Sequence, residues 1–551
     1  MAQGVAGAEP VSASAGFFSR DRIVAKTGFN RWLIPPCALA IHLCIGMAYG
    51  FSVFWLPLSK SMGIAKSVAC PAAGDWVQSL VRDLTTTSCD WSVSRLTVTY
   101  SLFFVVLGSA SAIWGGWLER AGPRKAGVVA AFCWAGGMAI GAVGVIVHKL
   151  WLLWLGAGLI GGIGLGIGYI TPVSTLIKWF PDKRGMATGM AIMGFGGAAM
   201  IGSPLADMLM KHFAGATQVG AWQTLLVLAA GYFVFMIGGA LSFRVPPDHW
   251  TPEGWTAPAM VKKGVSAFNV HLKDAHKTPQ FWLIWGVLLL NVSASIGIIG
   301  VASPMIQQIF GGRLIGAPAV DFAHLDKGQA AMTATVAAGF VGLLSLFNIG
   351  GRFFWASTSD LIGRKVTYAV MLALGAVLFG VVATWSASAA VLAAFVASFC
   401  ITTSMYGGGF ATVPAYLSDV FGTQYVGAIH GRLLTAWSTA GIVGPFIVAG
   451  VQDRYKEAKG VSIAAIYQPV FLLLAGLLVA GFLLNLLVKP VNERWHMTGG
   501  EAKTALAESH GSAGIDRGRI DGMTLLAWAV VGIPLLWGVW VTLTKAAALF
   551  H

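Results

Sequence analysis

Residues 345–365 read SLFNIGGRFFWASTSDLIGRK, a run of apolar and small residues that holds an arginine, Arg352, ahead of Asp360 and a terminal Gly363-Arg364-Lys365. On a helix rising 1.5 Å per residue, Arg352 lies about 12 Å along the axis from Asp360. If Asp360 marks the membrane boundary, Arg352 is inside the hydrocarbon. A charge at that depth costs several kcal/mol unless something binds it, so it marks a functional position. A guanidinium offers planar paired donors that match a carboxylate, which makes Arg352 the expected anion-binding group.

The same stretch occurs twice. GGWLERAGPRK places Glu119, Gly122 and Lys125 after the second apolar segment, as Asp360, Gly363 and Lys365 follow the eighth. Glu119 to Asp360 and Gly122 to Gly363 share an offset of 241 residues, and so do Phe180 in KWFPDKRGMATG and Phe421 in DVFGTQYVGAIHGR. Three matches in register imply two six-helix halves related by a parallel pseudo-repeat. An acid followed by glycine and basic groups at a helix end can hold neighbouring basic groups and helix N-termini in one conformation and release them in another. Glu119, Arg120, Arg124, Asp360, Arg364 and Lys365 are therefore the expected gating groups.

Composition places these helices in lipid. Charged residues make up 11% of the chain, against about 25% in soluble domains, too few to cover a soluble surface of this size. Spanning a core about 30 Å thick takes about 20 apolar residues. Such segments are expected near 32–59, 94–118, 124–147, 150–178, 184–210, 221–243, 280–310, 329–357, 365–386, 389–418, 427–452, 465–488 and 523–545. The fold class is thus an all-α integral membrane protein: two six-helix bundles and an extra C-terminal transmembrane helix. Its parts are an N-terminal segment at 1–31, bundles at 32–243 and 280–488, a connecting loop at 244–279, and a polar linker with the extra helix at 489–551. The 71 glycines suit close helix packing and bends.

Basic residues set the expected orientation. Arg20, Arg22, Lys26, Arg31, then Arg120, Arg124, Lys125, then Lys183, Arg184, then Lys262, Lys263, Lys273 and Lys277 all fall on one side, placing the N-terminus in the cytoplasm. The net charge of +14 then reports topology and anionic-lipid contact, and no nucleic-acid partner is expected. Residues 1–31 lack the apolar core of a signal peptide. Cys37, Cys44, Cys133 and Cys400 fall in apolar segments as small core residues. Cys70 and Cys89 share a long external loop, where a disulfide or two unpaired thiols are both open readings.

Other site residues follow from position. Asn348 is one turn from Arg352 on the same face and can donate to the same anion. Tyr169, in GLGIGYITPVST, and its repeat mate Phe410, in MYGGGFATVP, lie in glycine-rich runs ahead of a proline, where helices bend close to a centre. Tyr406 is one turn from Phe410. His42, one or two turns into the first helix, is the expected proton-coupling group if coupling is present, because imidazole changes charge near neutral pH; a buried neutral histidine is the alternative.

The loop at Glu119 resembles the signature of the major facilitator superfamily, with Glu119 where that superfamily usually has Asp. More narrowly, WFPDKRGMATG, LFNIGGRFFWASTSDLIGRK and SDVFGT resemble the oxalate:formate antiporter family and bacterial monocarboxylate transporters, over about residues 32–488. The resemblance implies a major facilitator fold and pocket aromatics at Tyr169, Tyr406 and Phe410. Oxalate transporters of that family carry a second cation, a lysine in helix 11, and the matching position here is Trp437. A dianion facing one fixed cation is undercompensated, so the expected substrate is a monocarboxylate such as formate, lactate or pyruvate ahead of oxalate. Proton-coupled relatives have an aspartate where this chain has Asn348, and deep carboxylates are few, which favours anion exchange. His430 and Arg432 read as gate or headgroup residues near the cytoplasmic end.

The expected function is a secondary transporter of a small carboxylate in a bacterial-type inner membrane, as antiporter or proton-coupled carrier. The alternative is a non-transporting carboxylate sensor that signals through residues 489–551. No HExxH, paired-cysteine motif or phosphate loop is present, so no enzyme activity, cofactor or metal is expected. A monomer is the working expectation.

Overall fold

In the computed structural model the described residues are 20–247 (without 27, 63–67, 69 and 72–74), 250–252, 268–456 (without 300, 319 and 386–391), 466–497 and 521–546. The expectations for residues 1–19, 253–267 and 498–520, Lys262 and Lys263 among them, lie outside these. All regular structure described is helical. Twelve described helices are long and apolar enough to cross a membrane. They are α1 (Arg31–Phe54), α2 (Val93–Ala121), α3 (Pro123–Ile146), α4 (Leu150–Trp179), α5 (Arg184–Phe213), α6 (Ala221–Ser242), α7 (Pro279–Ile299), α8 (Lys327–Ile362), α9 (Arg364–Trp385), α10 (Leu392–Phe421), α12 (Tyr467–Leu487) and α13 (Gly522–Ala546). The eleventh place is filled by two pieces, Val426–Leu433 and Thr435–Lys456, which meet at Leu434 and together form α11.

Two boundaries differ from the sequence reading for physical reasons. The segment expected at 280–310 is broken, with a second helix at Ala302–Phe310. Pro304 has no N–H to donate, so an uninterrupted helix through this point would lack a backbone bond. The end of α1 runs as a 3₁₀ helix over Gly46–Phe54, because Gly46 and Gly50 press against α5. A Cβ on Gly46 would collide with the Phe195 carbonyl oxygen.

The repeat is visible in backbone geometry. Gly122 and Gly363 both end a helix with φ of 80° and 88° and ψ of 160° and 150°, a region open essentially to glycine alone. Each turns the chain directly into the next helix. The two halves meet along α2 with α11 and along α5 with α8 and α10. Glycines set these seams: a Cβ on Gly189 would lie 2.8 Å from the Arg352 carbonyl oxygen, and one on Gly115 2.8 Å from the Cα of Ala428. In lipid, where apolar burial gives no net drive between helices, such close backbone packing supplies the attraction.

The extra helix α13 lies across the α5–α8 seam and touches α1. Asn30 Nδ2 donates to Thr524 Oγ1 at 3.0 Å, and Trp528 Nε1 donates to the Trp32 carbonyl at 3.2 Å. Val531 is buried with Leu39 and Ala40. On the other half, a Cβ on Gly342 would meet Thr542 at 3.0 Å. Leu525, Leu526, Ile533, Leu536 and Trp540 are exposed, a surface suited to lipid.

The loop between α1 and α2 is ordered around Asp90, whose carboxylate accepts from Met62 N at 2.7 Å and Val68 N at 2.8 Å. Cys70 and Cys89 form a disulfide with Cα atoms 5.0 Å apart. His148, between α3 and α4, stacks on Trp91 at 4.1 Å and bonds through Nε2 to the Cys89 carbonyl at 2.8 Å.

Candidate functional site

Arg352 is 1% exposed, at the point where α8 meets both α5 and α10. Its Nε donates to Asn348 Oδ1 at 2.9 Å, and its Nη1 donates to the Ile192 carbonyl on α5 at 3.2 Å. Asn348 therefore acts first as an acceptor that orients the guanidinium, with its amide nitrogen as the donor end. Gly196 of α5 makes room for the side chain: a Cβ there would stand 2.8 Å from Arg352 Nε. Among the described residues no carboxylate pairs with Arg352.

The aromatic groups expected from the sequence converge on this arginine. The Arg352 Cζ lies 5.8 Å from the centre of the Phe410 ring, a cation–π distance. Phe410 packs on Trp437 at 4.4 Å and on Tyr169 at 6.0 Å, with Tyr406 at 6.4 Å. Three further rings close the cage. Phe195 of α5 meets Tyr169 at 5.3 Å, Phe104 of α2 meets Trp437 at 5.2 Å, and Tyr49 of α1 meets Phe195 at 5.1 Å. Sequence reasoning missed these three. Tyr49 and Phe195 carried the signal used for Tyr169, an aromatic ring in a glycine-rich apolar run. Phe104 had no such mark.

Polar atoms in the cage lack partners. The hydroxyl of Tyr169, Nε1 of Trp437 and both ring nitrogens of His430 are buried without a hydrogen bond, while the Tyr49 hydroxyl faces that of Tyr406 and the Arg352 guanidinium. A buried polar group left unpaired costs about 1–3 kcal/mol. Several around one cation describe a site that a polar ligand completes.

Two other expectations take a different shape. His42 bonds through Nδ1 to the Ala191 carbonyl at 2.6 Å and through Nε2 to the Tyr169 carbonyl at 3.0 Å. It ties α1 to α4 and α5 within one half; both partners are acceptors, so the single N–H of a neutral ring serves one carbonyl and only the imidazolium serves both. His430, read as a gate residue at the helix end, is fully buried with its ring 5.9 Å from Tyr169.

The repeated loops make two unequal latches on the face that carries Arg31. Asp360 accepts from Gly185 N at 2.9 Å and Met186 N at 2.8 Å, capping α5 of the other half. Arg364 bonds Asp360 at 2.6 Å and reaches Asp419 at 3.3 Å, and Asp419 also meets Arg184 of α5 at 3.3 Å. Glu119 is held within its own half by Lys178 at 2.6 Å and Ser174 at 3.0 Å. It faces Gly427 at the start of α11, where a Cβ would stand 2.6 Å from Oε1. Lys365 instead caps α12, donating to the Leu486 and Val488 carbonyls at 2.7 Å each, and so does not join the halves. Arg124 is buried at the start of α3, and Arg120 is exposed. Among the described residues no group of three or more His, Cys, Asp or Glu side chains could hold a metal ion.

Comparison with known proteins agrees with this architecture. The chain is 26% identical over 428 residues to the oxalate:formate antiporter of Oxalobacter formigenes, covering 77% of this chain and 86% of that one. It is 24% identical over 341 residues to apicoplast pyruvate carrier 1 of Toxoplasma gondii, covering 53% and 58%. Among solved structures, the fucose:proton symporter of Escherichia coli superposes with a TM-score of 0.54 at 12% identity, over 83% of this chain and 98% of that chain. The human organic anion transporter gives 0.52 at 16% identity, over 83% and 99%. At these identities the structural likeness speaks for the fold alone. The sequence pattern of the Major Facilitator Superfamily matches residues 67–445, and this chain belongs to that family.

Proposed function

We propose that this membrane transporter moves a small monocarboxylate across the bilayer by alternating access between its two halves. The observation that carries the reading is Arg352: a buried cation with no carboxylate partner among the described residues, ringed by polar atoms that lack hydrogen bonds. An uncompensated buried charge is strongly unfavourable, and a carboxylate supplies both the counter-charge and the acceptors. The relatives named as an oxalate:formate antiporter and a pyruvate carrier support a carboxylate.

Size and charge narrow the class. One fixed cation balances one negative charge. Phe410, Trp437 and Phe195 form apolar walls that suit a short aliphatic tail, so formate, lactate or pyruvate are favoured over the dianion oxalate. Tyr169 and Tyr406 offer hydroxyls from opposite halves. In this reading the N-terminus is cytoplasmic, as the basic loops dictate. The Asp360 and Glu119 latches then hold the cytoplasmic side closed in the state described. The membrane is the inner membrane of a bacterial-type cell.

The test is uptake of labelled formate, lactate, pyruvate and oxalate into proteoliposomes, with and without unlabelled anion inside, comparing native protein with Arg352→Lys. Saturable monocarboxylate uptake reduced at least about tenfold in the variant is expected, the loss of roughly one charge-assisted bond. Absence of flux for all four anions in folded protein overturns the assignment.

A further inference from the structure

Among the described residues, His430 is the one histidine in the membrane interior that packing does not explain. It is fully buried, neither ring nitrogen has a hydrogen bond, and its ring lies 5.9 Å from that of Tyr169, whose hydroxyl is also unpaired. The local fold puts it there. Gly427 lets α11 approach Glu119 and Ser174, and Gly431 lets it approach the Ser111 carbonyl, which a Cβ would strike. The helix then breaks at Leu434, with Trp437 N returning to the Leu434 carbonyl at 3.0 Å. His430 thus sits on the same helix as Trp437, between the anion site and the latches.

The titratable and charged groups around it are otherwise engaged. From α1, His42 faces the Ala191 and Tyr169 carbonyls, one of which takes the single N–H of its neutral ring. From α2, Glu119 is paired with Lys178 of α4 at 2.6 Å. From α10, Asp419 is shared by Arg184 and Arg364, each at 3.3 Å. On α11 itself, Arg432 turns away to the Leu272 carbonyl at 2.6 Å and His276 at 2.9 Å. In the segment before α7, Asp274 pairs with Lys277 at 2.8 Å. Across the cage stands Arg352, 5.8 Å from Phe410.

We propose that His430 is the proton site of the carrier and takes up one proton with each monocarboxylate bound at Arg352. This rests on the carboxylate reading above. In the empty site the His430 ring is buried with no hydrogen-bond partner on either nitrogen, and a charge there has nothing to compensate it, so the imidazole is carried neutral. A bound carboxylate, with one oxygen held by Arg352, offers its other oxygen to the imidazole, and that charge-assisted hydrogen bond favours the imidazolium. The proton comes from water on the side where the anion enters and leaves to water where the anion departs. Loaded with anion and proton, or empty of both, the site has the same net charge, so the cycle is electroneutral. The carrier is then a proton–monocarboxylate symporter that also exchanges anions.

The experiment uses the full chain in proteoliposomes with a trapped pH dye and labelled pyruvate, with protein-free vesicles correcting for leak of the neutral acid. Native protein should acidify the lumen by about one proton per pyruvate, and the rate should not respond to a potassium–valinomycin potential. His430→Gln should lower the proton-to-anion ratio at least about fivefold and flatten the pH profile of uptake, whereas His42→Gln should keep the native ratio. Gel filtration and a melting curve establish that each variant is folded, with His430→Asn as the second substitution. Pyruvate entry without protons in native protein overturns the proposal with no variant needed. An unchanged ratio in folded His430→Gln overturns it as well, and so does a ratio lost in His42→Gln alone. Absence of any pyruvate, formate or lactate flux overturns the carboxylate reading instead.

Discussion

The Asp360 carboxylate accepts the backbone N–H of Gly185 at 2.9 Å, so an acid from the second half caps a helix of the first. The bond exists only while the halves are closed on that face, and the positive end of α5 strengthens it. Arg364, at 2.6 Å, holds the carboxylate in place.

Asp360→Asn keeps the shape and removes the charge. The closed state should weaken by about 1–2 kcal/mol, roughly tenfold in the conformational equilibrium. Spin-label distances across the α5–α8 seam, or thiol accessibility on the Arg31 face, should shift toward the open form. An unchanged distribution would show that helix packing alone closes this face.

Gly196→Ala tests the seat of the guanidinium. The added methyl would stand 2.8 Å from Arg352 Nε and 3.2 Å from Cζ, so the side chain must move off Asn348. Half-saturation for the transported anion should rise by about tenfold or more, the value of one hydrogen bond to a charged group. Gly238→Ala on α6, where a Cβ meets nothing within 4 Å, should leave it unchanged. Equal effects in the two variants would remove Gly196 from the site.

The loop between α1 and α2 should loosen in acid. Burial holds the His148 imidazole below its ordinary value of 6.5, and the neutral ring donates through Nε2 to Cys89. A histidine with a lowered folded value binds fewer protons folded than unfolded. Its contribution to stability is therefore present above about pH 6.5 and lost as pH falls below. Reduction of the Cys70–Cys89 disulfide by a phosphine should speed up several-fold toward pH 5, and His148→Gln should flatten that dependence. A native protein with no such acceleration would mean that the loop does not open at His148.

Helix α13 should brace the seam that it covers. Deleting 498–551 removes the contacts of Thr524 with Asn30, Trp528 with Trp32 and Thr542 with Gly342. The two bundles should persist with an apparent melting temperature lower by a few degrees. A Gly342→Cys thiol should label several-fold faster with a lipid-phase reagent. Anion flux that survives the deletion supports a carrier over a sensor that signals through this helix.

Much of the fold was legible in the sequence because lipid imposes simple demands. Helix number follows from apolar length, and the repeat follows from the match of Glu119 and Gly122 with Asp360 and Gly363. The depth of Arg352 follows from helical rise, and its side chain is buried to 1% exposure. Residue type also pointed to Tyr169, Tyr406, Phe410 and Trp437, which do converge.

Tertiary structure alone decided how these groups are used. In helices apolar on nearly every face, hydropathy does not fix rotation about the axis, so the ring contacts of Tyr49, Phe104 and Phe195 and the burial of His430 could not be read from spacing. Asn348 became an acceptor for Arg352, His42 came to face carbonyls of α4 and α5, and Lys365 turned to the end of α12. Each of these outcomes depends on the backbone of another helix arriving within about 3 Å, which is set by close glycine packing between segments far apart in the chain.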